Sequence, residues 1–388
     1  MERDQAIKFM LDLLKLMLQK NASDLFITVG FPPAMKIDGK MTPVSKQALT
    51  LENAKVMTYA IMNDRQLKEF EATKECNFAV SPPGIGRFRC NAFIQQGNPG
   101  LVMRTITTEI PTIDQLGLPD VLKDVVMTKN GLVIMVGGTG SGKSTSLAAM
   151  LDYRNQNSYG HIITIEDPVE YVHPHKNCVI MQREVGVDTE GWGIALKNSL
   201  RQAPDVILLG EIRDRETMEF GIQFAETGHL ALATLHANNA NQALDRVINF
   251  FPEERRMQLL MDLSANLKGI ISQRLIKKSD GAGRVAAIEI LLNSPLIKDL
   301  ILKGELHEIK PIMAKSNELG MNTFDQALFK LYEADEITYD DAIRYADAVN
   351  ELRLRIKLEG KEAKSRDALA GVDHLALEET EEEQGLMR

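Results

Sequence analysis

"GGTGSGKST", residues 137–145, stands directly behind the apolar run "GLVIMV" and directly ahead of "SLAAMLDY". Gly137, Gly142, Lys143 and Ser144 satisfy the G-x-x-x-x-G-K-[ST] spacing of a phosphate-binding loop. Glycines let such a backbone wrap inward, so that successive amide N–H groups and the N-terminus of the next helix point at phosphate oxygens. Lys143 would neutralise the outer phosphates, and the Ser144 hydroxyl would take one coordination place on Mg2+. A strand before the loop and a helix after it are the context the motif requires. Gly137, Gly138, Thr139, Gly140, Ser141, Gly142, Lys143, Ser144 and Thr145 are therefore read together as a nucleotide-binding segment.

Beyond the loop, "HIITIED", "DVILLGE", "LALATLH" and "RVAAIEIL" are further apolar runs separated by helical patterns. Continuous apolar strands of this kind are what a parallel sheet buried on both faces demands, so the fold class is α/β. Ahead of the loop the pattern differs. "AIKFMLDLLKLMLQK" carries Ile7, Met10, Leu11, Leu14, Met17 and Leu18 at helical spacing, which predicts an amphipathic helix docking on its own domain. "SDLFITVG" and "PAMKIDGKMTPV" read as two short strands bent at "GFPP"; "LENAKVMTYAIMNDRQLKEFEAT" has helical periodicity; "CNFAV", "RFRCNAFIQ" and "LVMRTI" alternate as strands. The expected organisation is an α+β domain at 1–110, a Pro- and Gly-punctuated linker at 107–120, a nucleotide-binding domain at 121–292 and a helical subdomain at 293–360. Residues 361–388 are poor in large apolar residues and rich in glutamate, as a solvated tail is.

Composition narrows the function. A chain of 388 residues is long for one core, its net charge of −9 argues against a nucleic-acid surface, and no apolar run approaches the ~20 residues of a membrane helix. Cys76, Cys90 and Cys178 are odd in number and widely spaced, which suits reduced, packed thiols in the cytoplasm.

Hydrolysis of a bound nucleotide needs one carboxylate to place water and another to organise the metal, both at strand ends facing the phosphates. "ITIEDPVEY" ends a strand in Glu166 and Asp167 and turns at Pro168 toward Glu170, while "PDVILLGEIRD" ends an apolar strand at Glu211. A single carboxylate past a strand is as often a turn former or helix cap. Two such ends after a phosphate loop are harder to dismiss. "ETGHLALATLHANNA" places His229 and His236 on either side of another short strand, a spacing that does not suggest a shared metal, and "HPH" at 173–175 reads as a loop.

Together "GGTGSGKST", "TIEDPVEY", "VILLGEIRD" and "ETGHLALATLHANNA" resemble the Walker A, Asp box, Walker B and His box of the ATPases that drive type II secretion and type IV pili. "SDLFITVGFPP", "IMND" and "GRFRCNAF" resemble the pilus retraction branch, PilT and PilU, and "LRQAPD" and "HANNANQALDRVINFFPEERR" are more similar to the PilU side. The resemblance implies a PAS-like N-terminal domain, a RecA-like P-loop ATPase domain, and a homohexamer holding ATP and Mg2+ between them. It implies cytoplasmic work at an inner-membrane pilus platform protein beside a PilT-like partner. By resemblance, Glu170 is the catalytic glutamate, Glu211 the Walker B glutamate near Mg2+ with Ser144, His229 and His236 the His-box pair, and Arg89 and Arg104 the arginines that reach the phosphates. Alternation along their strands alone would make those arginines solvent-facing.

Three departures from the family pattern stand out: Gly138 in place of a usual proline, Ala203 in place of a frequent aspartate, and "LIKDLILKG" in place of the segment tied to retraction in PilT. The leading expectation is an ATP-hydrolysing motor subunit for pilus retraction. The competing ones are a catalytically idle regulator acting through its acidic tail, and a pilus assembly or type II secretion ATPase.

Overall fold

The computed structural model describes residues 2–106 and 109–360; the acidic tail and the first residues of the expected linker lie outside these. Helix α1 (Arg3–Gln19) buries Ala6, Met10, Leu13, Leu14 and Met17, an i, i+3/i+4 stripe rotated slightly from the expected one, leaving Leu11 and Ile7 at its margin. It packs with α2 (Leu51–Ala60) and α3 (Asp64–Thr73) around a six-stranded antiparallel sheet. That sheet has the order β3-β2-β1-β6-β5-β4, from β1 (Asp24–Ile27), β2 (Ala34–Ile37), β3 (Lys40–Pro43), β4 (Glu75–Val80), β5 (Arg87–Gln95) and β6 (Asn98–Ile106).

Two expectations for this half are corrected. The segment expected as one strand at "PAMKIDGKMTPV" is a hairpin, because Asp38 and Gly39 both take positive φ (48° and 78°) and reverse the chain between β2 and β3. The single helical stretch is two helices. Asn63 caps α3 through Gln66 in a reciprocal capping box, a local arrangement that outcompetes continuation of α2.

The second sheet has seven strands in the order β13-β12-β7-β11-β10-β8-β9. They are β7 (Gly131–Val136), β8 (Gly160–Glu166), β9 (Cys178–Glu184), β10 (Val206–Leu209), β11 (Leu230–Leu235), β12 (Leu267–Lys277) and β13 (Arg284–Leu292). The central strands β7, β10 and β11 are buried along their whole length and pair in parallel, as doubly covered strands must. "RVAAIEIL" departs from the expected parallel sheet: β13 returns antiparallel to β12 across a short Gly-containing turn and forms the edge. β9 and β12 carry polar residues among the apolar ones and are not among the expected strands.

One face of this sheet is covered by α6 (Trp192–Ser199), α7 (Arg215–Glu226), α8 (Ala240–Asn249) and α9 (Glu253–Asn266), the other by α4 (Val121–Met127) and α5 (Lys143–Asn157). Two separate apolar clusters result, one per face, and burial of this order dominates the stability of such a layer. Beyond β13, α10 (Pro295–Lys303) and α11 (Ile309–Ala314) extend the first cluster. Helices α12 (Phe324–Glu333), α13 (Tyr339–Tyr345) and α14 (Val349–Glu359) enclose a small core of their own around Phe324 and Leu328. Arg274 on β12 ties this end down, stacking on Phe324 at 3.8 Å and pairing with Asp347 at 2.7 Å. All three cysteines are buried free thiols.

Candidate active site

The parallel strands β7, β8, β10 and β11 end on one edge of the sheet, and a cleft of about 460 Å3 opens there. Ligand crevices at the carboxyl ends of parallel strands are the rule in open α/β sheets. Thr139, Gly140, Ser141, Gly142, Lys143, Ser144 and Thr145 line the cleft and lead into α5, whose N-terminus adds the positive end of its dipole. Gly137 and Gly138 lie behind: their carbonyls accept from the Lys143 ammonium at 2.8 and 3.0 Å. Lys143 is 9% exposed, and burial lowers its pKa while the nearby Glu211 and Glu170 carboxylates act in the opposite direction. Gly142 takes φ +86°, and a Cβ there would lie 2.7 Å from Gln273 Nε2, so only glycine fits.

Across the cleft stand the acids. Glu211 follows β10 and faces His236 just past β11, with Oε1 3.5 Å from Nε2; Thr234 donates its hydroxyl to the Gly210 carbonyl between them. Glu166 ends β8, and the chain then passes a cis Asp167–Pro168 bond to the exposed Glu170. The edge strand β9 holds this loop from below. Gln182 donates to the Tyr171 carbonyl (2.8 Å) and accepts the His173 amide (2.8 Å), and Glu184 accepts the Val169 amide (3.2 Å). Tyr171 in turn meets Thr145 of the phosphate loop at 2.9 Å. Glu166 accepts from Thr164 (2.6 Å) and Gln182 (3.2 Å), yet desolvation outweighs those bonds and pushes its pKa up to about 7.

The structure thus gathers Lys143, Ser144, Glu170, Glu211 and His236 around one cleft. Three other expected site residues lie elsewhere. His229 precedes β11 at the opposite edge of the sheet, its ring 2.9 Å from the Thr227 hydroxyl. Arg89 and Arg104 are cross-strand neighbours on β5 and β6, outside the cleft lining; Arg104 is 70% exposed at its side chain and pairs with Asp24 at 2.8 Å. Arg89 acts electrostatically on Glu184, and Arg87, two residues earlier, lies 3.8 Å from the same carboxylate. Sequence reasoning does not single out Arg87, Gln182, Glu184 or Gln273, nor Arg213, which pairs with Asp167 at 3.1 Å and stacks on Trp192. Gln182, Glu184 and Gln273 lie on β9 and β12, Arg87 on β5 and Arg213 just before α7, and none of them sits in a motif that would have marked it.

Chemically, the cleft offers amide donors and a buried cation for a polyphosphate, a hydroxyl and carboxylate beside it, and an exposed carboxylate across from it. That set suits phosphoryl transfer to water. The family profile described as type II/IV secretion system protein matches residues 2–330. The chain is 57% identical to the type IV pilus ATPase PilU of Pseudomonas aeruginosa over 96% of its length and 97% of the relative's. It is 43% identical to the type IV pilus retraction ATPase PilT of the same organism, covering 85% of this chain and 96% of that one. Among solved structures, the pilus retraction motor PilT with bound ADP superposes with a TM-score of 0.83 at 40% identity, covering 89% of this chain and 98% of PilT. The chain therefore belongs to the type II/IV secretion system protein family, in its PilT/PilU branch.

Proposed function

We propose that this chain is an ATP-hydrolysing subunit of a homohexameric motor that powers type IV pilus retraction, acting as a PilU-like accessory motor beside a PilT-like ATPase. The observation that carries this reading is the meeting of Lys143 and Ser144 with Glu170 and Glu211 in one cleft. The loop amides and Lys143 bind the β- and γ-phosphates. Glu170, across the cleft, orients the attacking water and takes its proton, and His236 steadies Glu211 from the far side.

Mg2+ fits this donor set. Among the described residues no cluster of three or more acidic, histidine or cysteine side chains could cage a metal by itself, and Mg2+ keeps waters and phosphate oxygens instead of demanding such a cage. Ser144, with Glu211 through water, would hold it, and it would supply charge neutralisation on the transferring phosphoryl group.

Several finer points belong to the same reading. The six-stranded antiparallel sheet with its helices supports a PAS-like N-terminal domain at 1–110, joined by a linker at 107–120 to a RecA-like domain at 121–292 and a helical subdomain at 293–360. Arg89, Arg104 and His229, away from the cleft in the single chain, act when domains or neighbouring subunits close upon it. In this reading the motor works on the cytoplasmic side of an inner-membrane pilus platform protein; no helix among the described residues is long and apolar enough to cross a membrane. The test is Lys143→Ala, scored for nucleotide binding, phosphate release and pilus retraction in cells. Nucleotide binding and phosphate release should be lost and retraction beside the PilT-like ATPase should weaken; unchanged retraction would remove the motor reading.

A further inference from the structure

Gln273 sits on β12 beside the phosphate loop: in the parallel pairing with β7, Ser272 is opposite Val136, so Gln273 lies level with Gly137. Its own carbonyl comes within 2.7 Å of where a Cβ on Gly137 would stand. The residue is 3% exposed, and its carboxamide is bonded at both ends. Nε2 donates to the Ser141 carbonyl at 2.8 Å, and Oε1 accepts the Ser146 hydroxyl of α5 at 2.7 Å. The amide orientation is fixed, because a backbone carbonyl only accepts and therefore requires the NH2 end.

A trans peptide points its C=O and N–H in opposite directions. Holding the Ser141 carbonyl outward, toward β12, therefore turns the Gly142 N–H inward, toward the cleft where the loop presents its donors. Gly142, at φ +86°, packs directly on the same carboxamide. Resting on the nucleotide reading above, we propose that Gln273 is a positioning residue that aims the loop's phosphate-binding amides by clamping Ser141 and the first turn of α5 together. It touches no phosphate itself. Preorganised donors are worth far more than ones that must reorient on binding, so the clamp acts on affinity for the polyphosphate before it acts on the chemical step.

The experiment compares the full-length chain with Gln273→Glu and Ser146→Ala, measuring ADP affinity, competition by inorganic triphosphate and the melting temperature without nucleotide. Gln273→Glu keeps the shape and the bond from Ser146 but sets a carboxylate against the Ser141 carbonyl. It should weaken ADP and triphosphate by at least about tenfold and raise KM for ATP more than it lowers kcat. Ser146→Ala, which frees the other end of the carboxamide, should weaken both ligands in the same direction by a smaller factor and leave the ligand-free melting temperature within a few degrees. ADP affinity equal to the unaltered chain in both variants would overturn the role of Gln273. A merely structural role would lower the ligand-free melting temperature in both and leave affinity unmoved. Failure of the unaltered chain to bind ADP would overturn the nucleotide reading instead, so the two failures are distinguishable.

Discussion

Arg87 and Glu184 join the two sheets at the loop that carries Glu170: the guanidinium lies 3.8 Å from a carboxylate that also accepts the Val169 amide. Arg87 opens β5, and its register partner Ile106 closes β6 at the edge of the expected linker. Glu184 is 3% exposed, so this is a buried carboxyl shared between the N-terminal sheet and Val169, the residue preceding the proposed catalytic Glu170. Burial raises its pKa against the bond from Val169 and the pull of Arg87 and Arg89. Arg87 on the N-terminal sheet and the Val169 amide next to Glu170 thus meet the same carboxylate oxygen.

Removing that carboxylate should disturb chemistry more than binding. Glu184→Ala frees the Val169 amide and leaves Arg87 without its acid, so Glu170 is held less well while the phosphate loop is untouched. Phosphate release at saturating ATP should fall about 10- to 100-fold, and ADP affinity should change by less than about threefold. Arg87→Ala should shift the same way by a smaller factor. Steady-state kinetics beside a binding titration checks both.

Glu166 gives the fold a pH dependence. Its carboxyl is displaced upward from 4.5 to about 7, chiefly by desolvation, so the folded state favours the neutral form. The resulting stabilisation is fully present below the unfolded pKa near 4.5 and is lost as pH rises through about 7. Glu166→Gln, permanently neutral, should gain stability over the unaltered chain between pH 5 and 8 by up to about 3 kcal/mol, measured by denaturant unfolding without metal or nucleotide.

The loop glycines should separate sharply. Gly138 has an ordinary φ, and a Cβ added there would meet nothing within 4 Å, so Gly138→Ala should keep nucleotide affinity and add about 0.5 kcal/mol of stability. Gly142→Ala forces a left-handed alanine against Gln273 Nε2 at 2.7 Å and should abolish binding. A thermal shift with and without ADP distinguishes the two.

Ala203 is a strained position. Its φ of +51° is left-handed, where a Cβ costs about 1 kcal/mol or more and an aspartate or asparagine is better tolerated. Ala203→Gly should therefore stabilise the chain by about 0.5–1 kcal/mol, read as a shift in the denaturation midpoint with unchanged slope.

What the sequence made legible was what depends on local pattern. The all-buried runs at 131–136 and 230–235 read directly as strands of a parallel sheet, and the phosphate loop and Glu211 follow from motif and strand end, whereas Glu170 is picked out by resemblance. Asp38–Gly39 and Asn63 carried turn and cap signals that the helical and strand periodicities around them masked. Gln182, Glu184 and Gln273 had no local signature, because each acts on a loop that only the strand register brings beside it; Gln273 meets Ser141 across 132 residues. Arg89 and Arg104 read correctly as strand residues, but a single chain leaves them away from the cleft.

In the proposed mechanism one cleft both grips the polyphosphate and splits it, with Glu170 acting on water. Phosphate release by purified Glu170→Gln, with ADP and ATP affinity measured on the same sample, tests it most directly. Hydrolysis should fall at least about 100-fold with binding retained. Hydrolysis at the rate of the unaltered chain would contradict it.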